Sequence, residues 1–159
     1  MTSANTQGLV TDIAGLRERA GSHLGYTDWQ EMTQERVDQF ADATDDHQWI
    51  HVDPERAASG PFGTTVAHGF LTLSLVPHLA AELRKVEGVR MGINYGLDRV
   101  RFPAPVPSGS RVRARSTLIS CERVPGPAEA AQLVNRVTIE VEGSAKPACV
   151  ADVVSRLYF

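Results

Sequence analysis

The chain is poor in cysteine, has no long apolar run and carries no basic stripe, and each shortage removes a class of protein. Its two cysteines, Cys121 and Cys149, can form neither a disulfide framework nor a zinc knuckle. Both sit in apolar, strand-like runs and read as buried thiols. No apolar stretch approaches the roughly 18 residues that a membrane-spanning helix needs. Residues 1–8 are polar and lack the apolar centre of a secretory signal, so the expected location is the cytoplasm. A formal net charge of −3, with no cationic face interleaved with aromatics, argues against a general nucleic-acid binder. Internal repeats and low-complexity tracts are missing as well. What remains, 42% hydrophobic and 22% charged residues in a chain of 159, is the composition of one globular domain large enough for a core.

Leu9, Ile13 and Leu16 recur at helical spacing and predict a short amphipathic helix over 8–20. Residues 26–32 suit a short strand. Thr33 is placed to cap a helix over about 34–43, with Glu35 in its first turn and Val37, Phe40 and Ala41 on one face. Asp53 can cap a short helix that Pro54 begins and Gly60-Pro61 ends. From Gly69 to about Val86 the residues are apolar nearly all round, which predicts one long buried helix kinked at Pro77. The rest reads as strands over 91–102, 110–122, 131–142 and 147–158. The breaks between them are Pro103–Gly109, Pro125-Gly126-Pro127 and Gly143-Ser144. Long strands in series predict an antiparallel, meander-like sheet, and the fold class is α+β.

Between the second helix and the apolar helix lies the chemistry. Asp45, Asp46, His47, His51 and Asp53 crowd one stretch, and His68-Gly69 opens the apolar run. Asp46 and His51, five apart, can converge on one volume from a loop and share a water molecule. Gly69 falls at a helix start, where N–H groups lack intrahelical partners and no side chain blocks approach. Each residue has a plainer reading. Asp46 could only turn the loop, and Asp45 is its rival, although neighbouring side chains in an extended loop diverge. His47 and His51 with Asp46 and Asp53 could hold a metal, but the stretch lacks the glutamate of a His-Glu-x-x-His helix. His68 suits a hydrogen bond at the helix entry, His78 a structural place on the buried helix, and His23 no role. Trp49, Phe62 and Tyr95 are either core or the lining of a tunnel. The Pro103–Gly109 stretch is a rigid connection between strands.

The stretch resembles the MaoC-like, (R)-specific enoyl-CoA hydratase family (hydratase 2). Asp46, Ile50, His51, Asp53-Pro54 and His68-Gly69 stand in register with the family's Gly-Asp-x-Asn-Pro-Ile-His, acidic-Pro and His-Gly steps. Asp45, Gln48 and Trp49 depart from it at the Gly, Asn and Pro positions. The likeness extends over nearly all of the chain beyond about residue 25. It implies a single hot-dog domain over 1–159 with residues 1–25 as a helical N-terminal extension, a long central helix being wrapped by an antiparallel sheet. It implies reversible hydration of trans-2-enoyl-CoA to (3R)-3-hydroxyacyl-CoA. Asp46 and His51 would be the catalytic pair and the Gly69 N–H the oxyanion donor. There would be no metal and no cofactor beyond the coenzyme A thioester substrate. It further implies a homodimer in which two sheets join edge to edge. Arg111, Arg113 and Arg115 alternate along one strand face; they are either solvated or in contact with the coenzyme phosphates. An acyl-CoA thioesterase on the same fold and a non-catalytic acyl-thioester binding module are the other readings of this stretch.

Overall fold

The computed structural model describes residues 9–159. Strand β1 (Leu9–Thr11) leads into helix α1 (Ile13–Glu18), and β2 (His23–Tyr26) and β3 (Gln30–Glu31) follow. The helix expected over 8–20 is therefore confined to 13–18, and residue 8 lies outside the described residues. Asp12 accepts from the Gly15 N–H at 2.8 Å and starts the helix there. Leu9–Thr11 instead runs parallel to β4 (Arg84–Val86). Among the described residues the N-terminal segment is thus strand, helix and strand, not a helical extension. It is fastened to the sheet by Leu16, which is buried against Leu118, Ala131, Leu133 and Cys121. The single strand expected over 26–32 is divided between β2 and β3, which both pair with β6 (Arg111–Arg123).

Helix α2 (Gln34–Thr44) begins where expected, with the Thr33 hydroxyl accepting from the Arg36 N–H. It ends at Asp45, whose φ of 58° lies in the left-handed region. That is the position where the resembled family carries glycine, and aspartate is among the few other residues that tolerate it. Helices α3 (Trp49–Val52) and α4 (Pro54–Ala58) follow, the second capped by Asp53 through the Arg56 N–H at 3.0 Å.

The long helix expected from Gly69 to Val86 is two helices and a strand: α5 (Gly69–Ser74), α6 (Val76–Leu83) and β4. Pro77 cannot donate to the Leu73 carbonyl and its ring crowds that group, so the α-ladder stops a turn earlier. The Leu75 N–H takes an i−3 partner, Thr72 O, at 3.3 Å. Nor is the helix pair buried on all sides. Leu71, Thr72, Val76, Leu79 and Leu83 face the sheet, whereas Phe70 is 69% exposed. His78 is also exposed; it meets Gln30 and Glu82 at the surface instead of a core.

Strands β5 (Met91–Arg101), β6, β7 (Ala130–Val141) and β8 (Cys149–Tyr158) fall where sequence places them. The six-stranded sheet has the order β2-β6-β7-β8-β5, with β3 also on β6. Only β6-β7-β8 is a meander; β5 crosses the end of the sheet and takes the far edge beyond β8. The proline-rich 102–110 segment makes that crossing. On its way it is tied down by the Ala67 N–H to Val106 O at 2.8 Å and the Ser108 N–H to Thr65 O at 2.9 Å. The core lies between the helix pair and the sheet, built from Met32, Val37, Leu71, Leu79, Val112, Val137 and Ile139. An antiparallel sheet around a central helical segment is the hot-dog architecture. No helix among the described residues is long and apolar enough to cross a membrane.

Candidate active site

Three backbone segments build the site, and α2 braces two of them. Gln34, in the first turn of α2, donates from its side-chain amide to His51 O at 2.7 Å and accepts from the Thr65 hydroxyl. It thereby joins the α3 turn to the extended 65–67 segment. Val66 then bonds to α3 twice: its N–H donates to Ile50 O at 3.0 Å, and its carbonyl accepts from His51 Nδ1 at 2.6 Å. A carbonyl only accepts, so His51 Nδ1 carries the proton and Nε2 of the neutral ring is left as the free base.

Asp46, His51 and His68 converge: a carboxylate oxygen of Asp46 and one ring nitrogen from each histidine lie within 4.8 Å of one another. His68 donates from Nε2 to the Asp46 carbonyl at 2.9 Å, with the Asp46 carboxylate 4.0 Å away. The helix-entry hydrogen bond expected of His68 is thus made, and it holds the very loop that carries Asp46. The His68 ring also stacks on His51, centroids 3.7 Å apart and planes 24° from parallel. Its Nδ1 is buried without a hydrogen-bond partner among the described residues. His51 is 7% and His68 3% exposed, while the Asp46 side chain is 56% exposed. Asp46 faces solvent over a floor of two buried imidazoles.

Burial holds the His51 imidazole below the ordinary histidine range. The Val66 carbonyl bond opposes that, the stacked His68 adds to it, and the Asp46 charge opposes it. The net effect favours the neutral ring.

The metal set weighed from sequence does not assemble. His47 turns outward to Asp42 at 2.9 Å, and that carboxylate holds its pKa above the usual range. Asp53 is occupied as a helix cap. The cluster that does form, Asp46-His51-His68, offers a metal two nearly parallel rings.

Gly69 opens α5 next to His68, and its N–H has no partner among the described residues. It lines a cavity of about 320 Å³ with Phe62, Thr72, Phe102 and Pro105. A Cβ at this position would lie 3.2 Å from the Phe102 ring. The φ of Gly69 is outside the left-handed region, so alanine fits the backbone and only crowds the cavity. Gly69→Ala is therefore expected to fold and to lower kcat/KM. The loss should be smaller than the ~10²–10³-fold that removal of an oxyanion donor brings, because the N–H remains. Steady-state kinetics across pH checks this: the pH profile should keep its shape.

The aromatic residues divide. Phe62 lines the Gly69 cavity, and Tyr95 lines a second one of about 260 Å³ with Leu73, Val76, Pro77 and Leu97. Trp49 packs instead on Gly60 and under the Arg56 guanidinium. The alternating arginines of β6 are already paired across the sheet, Arg111 with Glu142 and both Arg113 and Arg115 with Glu140. Cys121 and Cys149 are buried as free thiols, and burial pushes Cys149 up to about 11. Sequence reasoning missed Gln34, the Val66 carbonyl and Phe102. Only the helix-start position of Gln34 was visible in the chain.

An acid/base cluster thus stands at the entry of the central helical segment of a hot dog. The sequence profile of the MaoC like domain matches residues 16–138, and the chain belongs to that family, as a hydro-lyase of the dehydratase type. It is 58% identical over 144 residues to 3-hydroxyacyl-thioester dehydratase Z of Mycobacterium tuberculosis, covering 91% of this chain and 94% of that one. It is 46% identical to Nodulation protein N of Rhizobium leguminosarum over 92% of this chain and 91% of that one. Its fold matches the (R)-hydratase from A. caviae involved in PHA biosynthesis with a TM-score of 0.63 at 23% identity, covering 86% and 94% of the two chains.

Proposed function

We propose that the protein catalyses the reversible hydration of a trans-2-enoyl-CoA to a (3R)-3-hydroxyacyl-CoA, with Asp46 and His51 as the water-activating pair. The observation that carries this reading is the convergence of an ionisable carboxylate and an imidazole whose Nδ1 is committed to Val66 O, leaving Nε2 bare. In the hydration direction the water oxygen bonds to C3 as the pair takes one of its protons. The C2–C3 π electrons move into an enolate whose negative charge rests on the thioester oxygen. The Gly69 N–H is the donor to that oxygen, worth about 3–4 kcal/mol in comparable sites. The abstracted proton is delivered to C2, so one water supplies both added groups and no redox or metal cofactor takes part. Dehydration retraces these steps. The thioester substrate is supported by the dehydratase relative at 58% identity, and the (3R) outcome by the motif's likeness to the (R)-specific hydratases.

The working unit we infer is a homodimer. Among the described residues strand β5 ends the sheet with an unpaired edge, and its Met91, Tyr95 and Leu97 are exposed. A second copy pairing there would remove an edge that otherwise invites aggregation.

The test is a crotonyl-CoA assay followed in parallel for enoyl absorbance and for free thiol. Loss of absorbance without thiol release, unchanged after dialysis against a strong chelator, is the expected result. Thiol release at the same rate would make the protein a thioesterase. Binding of the thioester without turnover would make it a binding module. Loss of activity that zinc restores would replace the Asp46–His51 water with a metal-bound hydroxide.

A further inference from the structure

A third cavity, of about 310 Å³, lies between α6 and the sheet. Its walls are mainly aliphatic, with Val76, Ala80, Val137 and Leu157 among them, and include the polar residues Arg84, Asn94, Asn135 and Ser155. Arg84 is the one charged residue in that lining. It is partly buried, and burial pushes its guanidinium below the ordinary arginine range. One N–H donates to Asn135 Oδ1 at 2.7 Å. No carboxylate lies within 4.0 Å of it among the described residues, in contrast to Arg111, Arg113, Arg115 and Arg136, which all have one. Ser155, which also lines the cavity, has a buried Oγ without a hydrogen-bond partner among the described residues.

A cation withdrawn from water without a counter-ion is costly, and proteins rarely leave one so. A guanidinium uses a planar fork of N–H donors, which matches a carboxylate. We propose that this cavity binds an aliphatic chain ending in a carboxylate, with Arg84 as the anchor, Ser155 as a further hydrogen-bond donor and the α6–sheet gap holding the chain. The neighbouring cavity at Tyr95 shares Val76, Pro77, Asn94 and Val153 with it, so a chain can run from one to the other along the helix pair. Two sources share this chemistry: the far end of the substrate's own acyl group, an assignment that rests on the hydration reading above, and a free fatty-type carboxylate.

Calorimetric binding of octanoate and of its neutral isostere octanamide to the intact protein tests the site without any turnover. Octanoate should bind about 10- to 100-fold more tightly, the range for a hydrogen bond to a charged group, and Arg84→Met should abolish the difference. Should Arg84→Met fail to fold, Asn135→Asp decides. It places a fixed carboxylate beside the guanidinium, so it should raise the melting temperature and abolish octanoate binding. Kinetics with an enoyl-CoA bearing a terminal carboxylate, against its methyl-ended counterpart of equal length, separate the sources. A kcat/KM preference for the acid that Arg84→Met removes identifies the substrate's own end. Charge-selective octanoate binding without that preference identifies a free carboxylate. Equal binding of octanoate and octanamide, or unchanged octanoate binding in Asn135→Asp, overturns the proposal. So does an Arg84→Met protein that alters its oligomeric state yet binds octanoate as before; that would assign Arg84 to an acid on a second copy.

Discussion

Asp46→Asn is expected to fold as the parent does and to lose about 10²–10⁴-fold in kcat, the range for a positioned acid/base group. The fold is spared because the Asp46 side chain caps nothing: its structural tie is the backbone carbonyl that accepts from His68 Nε2 at 2.9 Å, and asparagine keeps that carbonyl. What disappears is the charge facing His51. An amide neither takes a proton from water nor steadies a transient imidazolium. Asp45→Asn is the matched control. Asp45 is exposed and sits at φ 58°, a conformation asparagine adopts as readily as aspartate, so its effect on rate should be modest. Circular dichroism with steady-state hydration kinetics on the two variants decides the matter. If Asp45→Asn proves the damaging change, the motif has been aligned one residue out.

Much of this site was legible in the chain because its parts are local. Asp46, His51, His68 and Gly69 lie within 24 residues, and each carries a reason for its place in its own residue type. Caps were legible too: Thr33 and Asp53 each bond the backbone N–H three residues on. The four long strands were bounded correctly because β-branched runs are separated by proline and glycine. What escaped depends on partners far away in sequence. Arg84–Val86 looked like the end of a helix because nothing near it reveals that Leu9–Thr11 lies alongside. The place of β5 beyond β8 is a property of the 102–110 crossing, not of β5 itself. His78 looked buried because its neighbours are apolar, yet the turn of the helix points it outward. The tautomer of His51 is set by a carbonyl 15 residues away, and a backbone oxygen carries no sequence signature. Arg84 falls within the stretch expected to be helix, and only the fold brings it to Asn135 of β7.

His51→Gln should lower kcat by about 10²–10⁴-fold while KM changes little, because the role proposed for His51 is on the attacking water and not on the body of the substrate. Glutamine retains one hydrogen-bonding end for Val66 O but has no basic nitrogen to receive a proton. The pH dependence adds a signature that packing alone would not produce. If the pair activates water as proposed, protonating either member removes an acceptor from that water, so the acid limb of kcat/KM reports the pair as a unit. With His51 gone, the limb should lose the imidazole's contribution and move. Folding stability carries the same mark. His51 titrates below its unfolded value of 6.5, so its contribution to stability is complete above that value and is lost as pH falls through the lower, folded one. His47 is displaced upward by Asp42, and its contribution has the opposite sense: present below 6.5 and lost as pH rises through the folded value. Melting temperatures of parent and His51→Gln, measured from neutral pH downward, should therefore diverge at neutrality and converge in acid, as only the parent must hold a buried imidazole neutral. A His51→Gln enzyme with near-parental kcat and an unmoved acid limb would leave Asp46 as the only base and reduce His51 to a strut between α3 and Val66.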